Sequence, residues 1–163
     1  GGRYCVKVRS LLNKGGGEYF YRLKLSRPEP SFSGTVAAPH FVVNAGVTAK
    51  VKVAVNFLDG FKGKLEVAVS GLPRGVTAES VMMEKKGDAV LKLVAAGDAR
   101  PHNGPIQISV ITEDGVIVKP VTTALTSAGT SNGVPQGFPD FIIPNTASLW
   151  LTVLPPKPSE KDK

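Results

Sequence analysis

The sequence is short of the groups on which most enzymatic and metal chemistry depends. Its 163 residues include one cysteine, Cys5, and two histidines, His40 and His102. One cysteine excludes an intramolecular disulfide, and without a Cys-x-x-Cys pair or a Cys/His cluster no zinc site is assigned. Cys5 is expected to be a buried apolar residue. Each histidine follows a proline, in Pro39-His40 and Pro101-His102, and both are expected in exposed polar turns. Neither belongs to a Gly-x-Ser-x-Gly elbow or a His-Glu-x-x-His helix, the local arrangements that activate a nucleophile or hold a catalytic metal. The expectation is a non-enzyme with no catalytic residue, no cofactor and no metal.

Other absences narrow the field further. No apolar run approaches the roughly 18 residues needed to cross a bilayer, so membrane insertion is not expected. The first residues lack the charged-then-apolar design of a signal peptide, so the signal of an exported parent is expected upstream of this segment. There is no Asp-x-Asp-x-Asp calcium loop, and the carboxylates have simple local roles. Asp59 and Asp114 precede glycines in turns, while Glu66 and Asp88 fall on outward strand positions, which leaves no local carboxylate pair for glycoside hydrolysis.

The formal charge of +7 invites a nucleic-acid reading until the charges are located. Residues 1–27 carry seven basic residues (Arg3, Lys7, Arg9, Lys14, Arg22, Lys24 and Arg27) against Glu18 alone. The remaining chain has thirteen basic and twelve acidic residues and is nearly neutral. Nucleic acid is therefore not an expected partner.

What the sequence does contain is strand alternation. From Val47 to Phe57 every second residue is apolar (Val47, Ala49, Val51, Val53, Val55, Phe57), with Thr48, Lys50, Lys52 and Asn56 between them. A period of two with one apolar and one polar face suits an antiparallel strand that covers a core on one side and meets water on the other. After Asp59-Gly60 the pattern returns at Leu65, Val67 and Val69, which reads as a hairpin. It recurs at Ala89 to Ala95 and at Ile106 to Val110, and the chain then reverses at Glu113-Asp114-Gly115 into Val116 to Val118. Ser148 to Leu154 forms the last strand, ended by Pro155 and Pro156. About seven to nine short strands follow from Ser31 onward, without an amphipathic helix among them. That spacing predicts an all-β, two-sheet sandwich with hairpin and Greek-key links.

Two stretches break the rhythm. Ser127 to Thr146 is rich in proline and glycine and contains the apolar cluster Phe138, Phe141, Ile142 and Ile143. So long a loop is a functional element, a packed flap or a mobile segment. Residues 155–163, PPKPSEKDK, read as a linker tail. Trp150 alternates with Leu149 and Leu151 on the last strand, where it caps an open face or fills a sheet edge. Trp150, Phe138 and Phe141 are the candidates for stacking on a sugar, and Asp140 is the candidate for a site assembled from loops.

Resemblance adds a context. The strand Arg3 to Arg9, the Gly15-Gly16-Gly17 turn and the strand Glu18 to Leu25 with Tyr21-Arg22-Leu23 resemble the final hairpin of bacterial pre-peptidase C-terminal-type domains. Residues 31–154 resemble the immunoglobulin-like modules that often follow such domains in large exported bacterial proteins. The residues carrying that likeness are Phe57-Leu58-Asp59-Gly60-Phe61 and Leu65 to Val76, with its Gly71-Leu72-Pro73-Arg74-Gly75-Val76. The resemblance implies a remnant hairpin over 1–27, which adds an N-terminal β-hairpin to an immunoglobulin-like sandwich over 31–154. It also implies an extracellular or cell-surface location. The expected role is structural or interactive, including adhesion, with the neighbouring domains of the parent chain, a protein or a glycan as partner. The alternative is a carbohydrate-binding module appended to an exported enzyme.

Overall fold

The computed structural model describes residues 2–9, 14–17, 20, 22–127 and 141–156, and describes 125–127 and 141–144 by backbone only. Among these residues the chain is all-β. The strands are β1 (Ser31–Thr35), β2 (His40–Asn44), β3 (Thr48–Leu58), β4 (Leu65–Ser70), β5 (Val76–Ala78) and β6 (Val81–Met83), then β7 (Gly87–Ala95), β8 (His102–Thr112), β9 (Val118–Pro120), β10 (Thr123–Ser127), β11 (Phe141–Thr146) and β12 (Leu149–Leu154). The three-residue strands β5, β6 and β9 are too short for alternation to reveal, so the sequence pattern undercounts the elements.

Two sheets form the body. The first has the order β1-β3-β7-β5 and is antiparallel throughout. The second has the order β2-β12-β8-β4-β6, with β9 also pairing to β8. Within it only β2 and β12 run parallel. β10 and β11 pair as a separate two-stranded sheet.

The alternation read from the sequence sets the inward faces. Val51, Val53 and Val55 of β3 are buried, as are Ala89, Leu91, Leu93 and Ala95 of β7. From the second sheet Leu65, Val67, Ile106, Ile108, Val110, Leu149, Leu151 and Val153 join them in one core, which makes the body sandwich-like. Each buried Val, Leu or Ile contributes about 1.5–3 kcal/mol, against about 0.5–1.5 kcal/mol for a ladder hydrogen bond. A one-residue register slip would expose a whole inward set, so the valines and leucines fix the register.

The sheets meet most tightly at Gly34 of β1. A Cβ there would lie 2.7 Å from a methyl of Val110 and 2.8 Å from one of Val121, so only glycine fits between the layers. Just beyond, Val36 N–H donates to Thr122 C=O and Thr122 N–H to Gly34 C=O, at 2.9 and 3.0 Å. Lys119 of β9 reaches across the same edge, donating to Ser31 Oγ and lying 5.0 Å from the Phe32 ring centroid. These contacts lace β1 to the chain that follows β9.

Several sequence expectations are corrected. β3 and β4 are not a hairpin: β3 pairs with β1 and β7, whereas β4 pairs with β8 and β6 in the other sheet. Asp59 and Gly60, with φ of 51° and 77°, make the tight reversal. The chain then crosses between layers, with Phe61 packed edge-on against Phe32 and Phe57 at centroid distances of 5.2 Å. Gly71 to Gly75 carries the chain back from β4 to β5 in the first sheet.

The hairpin expected over 1–27 has no strand among the described residues 2–9, 14–17, 20 and 22–27, and these residues are exposed. An isolated two-stranded ribbon is marginal in water, and none of these residues joins the core, Tyr4, Val6, Val8, Phe20, Leu23 and Leu25 being left exposed. Cys5 is accordingly exposed rather than buried. Ser127 to Thr146 is not loop throughout, since Phe141–Thr146 is β11, paired with β10.

Candidate functional site

The outer face of the second sheet presents a surface unlike the rest of the body. Alternation along β12 turns Leu149, Leu151 and Val153 inward and leaves Trp150, Thr152 and Leu154 outward. The register places Trp150 between His40 of β2 and Pro105 of β8, and Thr152 between Val42 and Asn103. Trp150 is 42% exposed, Val42 47% and Leu154 40%.

A chain of side-chain hydrogen bonds crosses the three strands. Trp150 Nε1–H donates to Asn103 Oδ1, and Thr152 Oγ1–H donates to the same oxygen at 3.0 Å. Because the threonine hydroxyl has a single proton, it accepts from His40, whose Nε2 lies 2.7 Å away. His40 Nε2 therefore carries a proton, and its Nδ1 faces outward from the chain of bonds. Asn103 is fixed with its oxygen toward Trp150 and Thr152, so its amide NH2 has no protein partner among the described residues. The indole ring is thereby held at its nitrogen by an amide that is itself held by a threonine.

Beside the ring lies an open groove of about 390 Å3. Trp150 and Ser148 form one side, Ser70 and Gly71 the other, and Pro105 and Gln107 the floor. Gly71, at φ 76°, lies against the β8 backbone, where a Cβ would be 3.6 Å from the Pro105 carbonyl oxygen. The arrangement offers an apolar ring face, amide and hydroxyl groups beside it, and no formally charged side chain along the groove. Chemically it suits stacking plus hydrogen bonding to a neutral polar ligand.

The predicted site residues fare differently. Trp150 is on an open sheet face, which settles the choice between a face and an edge. Phe141 begins β11, and its side chain is outside the described set. Phe138 and Asp140 lie outside the described residues. The histidines do not sit in turns: each opens a strand, His40 exposed on β2 and His102 half-buried on β8. The expected exposure fails for His102 because Gly104, two residues along, has no side chain. Its missing Cβ would lie 2.6 Å from His102 Nε2, so the imidazole folds into that space.

The contribution of Asn103, Thr152 and His40 was missed in the sequence. Its one signal was the run of polar residues alternating with core residues on β12 and β8, which does not reveal which strands become neighbours. Among the described residues no group of three or more His, Cys, Asp or Glu is placed to hold a metal ion. No family model and no curated protein matches this chain.

Proposed function

We propose that residues 31–154 form a non-catalytic interaction module of immunoglobulin-like, Greek-key type. In this reading it belongs to an exported or cell-surface bacterial protein and binds its partner on the outer face of β2, β12 and β8. The strand order supports the fold assignment. β1-β3-β7-β5 corresponds to the A-B-E-D sheet of such domains, and β2-β12-β8-β4-β6 to the sheet built around strands G, F and C. The first strand divides between the sheets as β1 and β2. The likeness of Phe57 to Val76 to modules of exported bacterial proteins supports the location.

The observation that carries the interaction reading is Trp150, a large ring left 42% exposed while its nitrogen is fixed by Asn103. Tryptophan dominates binding energies at interfaces because it contributes much area at little conformational cost. A second reading, carbohydrate binding, is favoured by the groove beside that ring and by the amide NH2 of Asn103, which has no partner among the described residues. Sugars offer apolar ring faces for stacking and hydroxyls for such donors.

The test is a glycan array and an adhesion assay on bacterial and host surfaces, run with the wild-type domain and Trp150→Ala. Loss of a bound glycan or of adhesion in the variant supports the face as the contact surface. A substrate turned over by the isolated domain, with that activity abolished by one substitution, overturns the non-catalytic reading.

A further inference from the structure

Three outward residues of β8, Asn103, Pro105 and Gln107, lie in one exposed row along the middle of the second sheet. Each has an uncharged neighbour in register: Thr152 beside Asn103, Trp150 beside Pro105 and Ser70 beside Gln107. Trp150 is bonded through its ring nitrogen to Asn103 and at the same time lines the groove that Gln107 also lines. Asn103 and Gln107 are four residues apart on an extended strand, about 13 Å, with Trp150 across from the residue midway between them. The row therefore has an amide at each end and an aromatic ring at its centre.

The chemistry of the row selects among ligands. No lysine, arginine, aspartate or glutamate stands in it, among its register partners or among the residues lining the groove, so nothing there offsets the desolvation of a charged ligand. A peptide strand would need a free ladder. β8 is an interior strand, paired with β12 and β9 on one flank and with β4 on the other, and Pro105, beyond the end of the β4 ladder, has no N–H to donate. An amphipathic helix would need an apolar trough, whereas here the ring is flanked by amides and hydroxyls. What fits is an uncharged chain with apolar faces to stack and hydroxyls to bond along its length.

We propose that Asn103, Trp150 and Gln107 are successive subsites of a track along β8 for a linear, neutral oligosaccharide about three sugar rings long. The central ring stacks on Trp150, and the amides of Asn103 and Gln107 bond hydroxyls of the rings on either side. This rests on the carbohydrate reading of the face and adds to it the charge, length and direction of the ligand.

Calorimetric titration with the cello-, manno- and chito-oligosaccharide series, and with oligogalacturonate as the acidic comparison, tests the track. In the series that binds, affinity should climb up to three rings and change less than about twofold beyond them. Gln107→Ala should weaken the trisaccharide about fivefold to tenfold, the worth of one hydrogen bond, and leave monosaccharide binding, read by amide NMR, unchanged. Asn103→Asp keeps the acceptor for Trp150 and Thr152 and removes only the NH2, so it should weaken the trisaccharide from the other end. Trp150→Ala should remove binding at every length. Oligogalacturonate should bind at least about tenfold more weakly than the neutral trisaccharide.

Equal affinity for one ring and three, full trisaccharide affinity in Gln107→Ala, or preference for oligogalacturonate overturns the track while the carbohydrate reading stands. If no oligosaccharide of any length binds, the carbohydrate reading falls and the track with it. Adhesion lost in Trp150→Ala would then assign the face to a protein partner.

Discussion

The outer faces of the two sheets are built by the same alternation and differ in charge: one carries lysines and an aspartate, the other an aromatic ring among uncharged polar groups. On the first sheet β3 and β7 turn out Thr48, Lys50, Lys52, Asp88 and Lys92 together with the exposed Val90 and Val94, and the register sets Lys50 directly across from Lys92. On the second, β2, β12 and β8 turn out His40, Val42, Trp150, Thr152, Leu154 and Asn103, with His40, Thr152, Asn103 and Trp150 hydrogen-bonded in a chain. Both patterns keep a sandwich soluble on the outside and apolar within. Charge on an open sheet face keeps other chains away, because long lysines are hydrated and repel one another. An uncharged face with a fixed aromatic ring invites contact. The difference is the ground for the proposed contact surface on the second sheet, and it can be broken by experiment.

The largest effect is expected from neighbouring residues of one strand. Leu151→Ala removes a fully buried side chain and should cost about 2–5 kcal/mol in urea or thermal unfolding. Trp150→Ala, one residue away, removes a larger but half-exposed ring and should cost less, about 1–2 kcal/mol, while abolishing binding. Equal destabilisation by the two would make Trp150 a core residue and end the contrast between the faces.

Next comes the seam that holds the faces apart at a fixed distance. Gly34→Ala places a methyl within 2.8 Å of both Val110 and Val121, and overpacking of that kind costs about 1–3 kcal/mol. Gly34 does not have a positive φ, so the loss would be steric. A variant as stable as the wild type by urea midpoint, with unchanged m, would show that the layers separate easily.

The sequence revealed the inward residues because burial imposes a period that any strand carries locally. Val51, Val53, Val55, Leu91 and Leu93 needed no knowledge of their partners to be placed in a core. Partnership was not legible. β3 and β4 looked like a hairpin because Asp59-Gly60 is a good tight turn, yet the chain crosses to the other sheet. Nothing local separates a turn within a sheet from a turn between sheets. The site suffered the same loss: Trp150 was visible as an aromatic on an alternating strand, whereas Asn103 and His40 lie 47 and 110 residues away and become its neighbours only through sheet order. Gly34 gave no signal either, since its role depends on methyls from β8 and from the chain after β9.

A smaller effect is expected on the lysine face. Lys52 Nζ and Asp88 Oδ2 are 2.8 Å apart, with both side chains well exposed. Exposed pairs of this type contribute about 0–1 kcal/mol and are screened by salt. Lys52→Ala should therefore shift stability by no more than about 0.5 kcal/mol and leave ligand binding untouched. A loss of binding in that variant would move the contact surface to the wrong sheet.

The smallest effect belongs to the far end of β8, roughly 30 Å along the strand from His102. There Asp114 Oδ1 accepts from Thr112 Oγ1–H at 2.5 Å and from Val116 N–H at 3.0 Å, closing the turn into β9. Those two bonds, the hydroxyl first, hold its carboxyl below the usual aspartate range. A depressed carboxyl stabilises the fold above its unfolded pKa, about 3.9, and that contribution is lost as pH falls through the lower folded value. At neutral pH, Asp114→Ala should speed amide exchange at Val116. The gap between variant and wild type should close in acid below that range. Because the carboxylate is fully solvated, the change should stay within the turn. Binding at Trp150 should not move in either condition, and a coupled loss there would mean that the two ends of β8 respond as one unit.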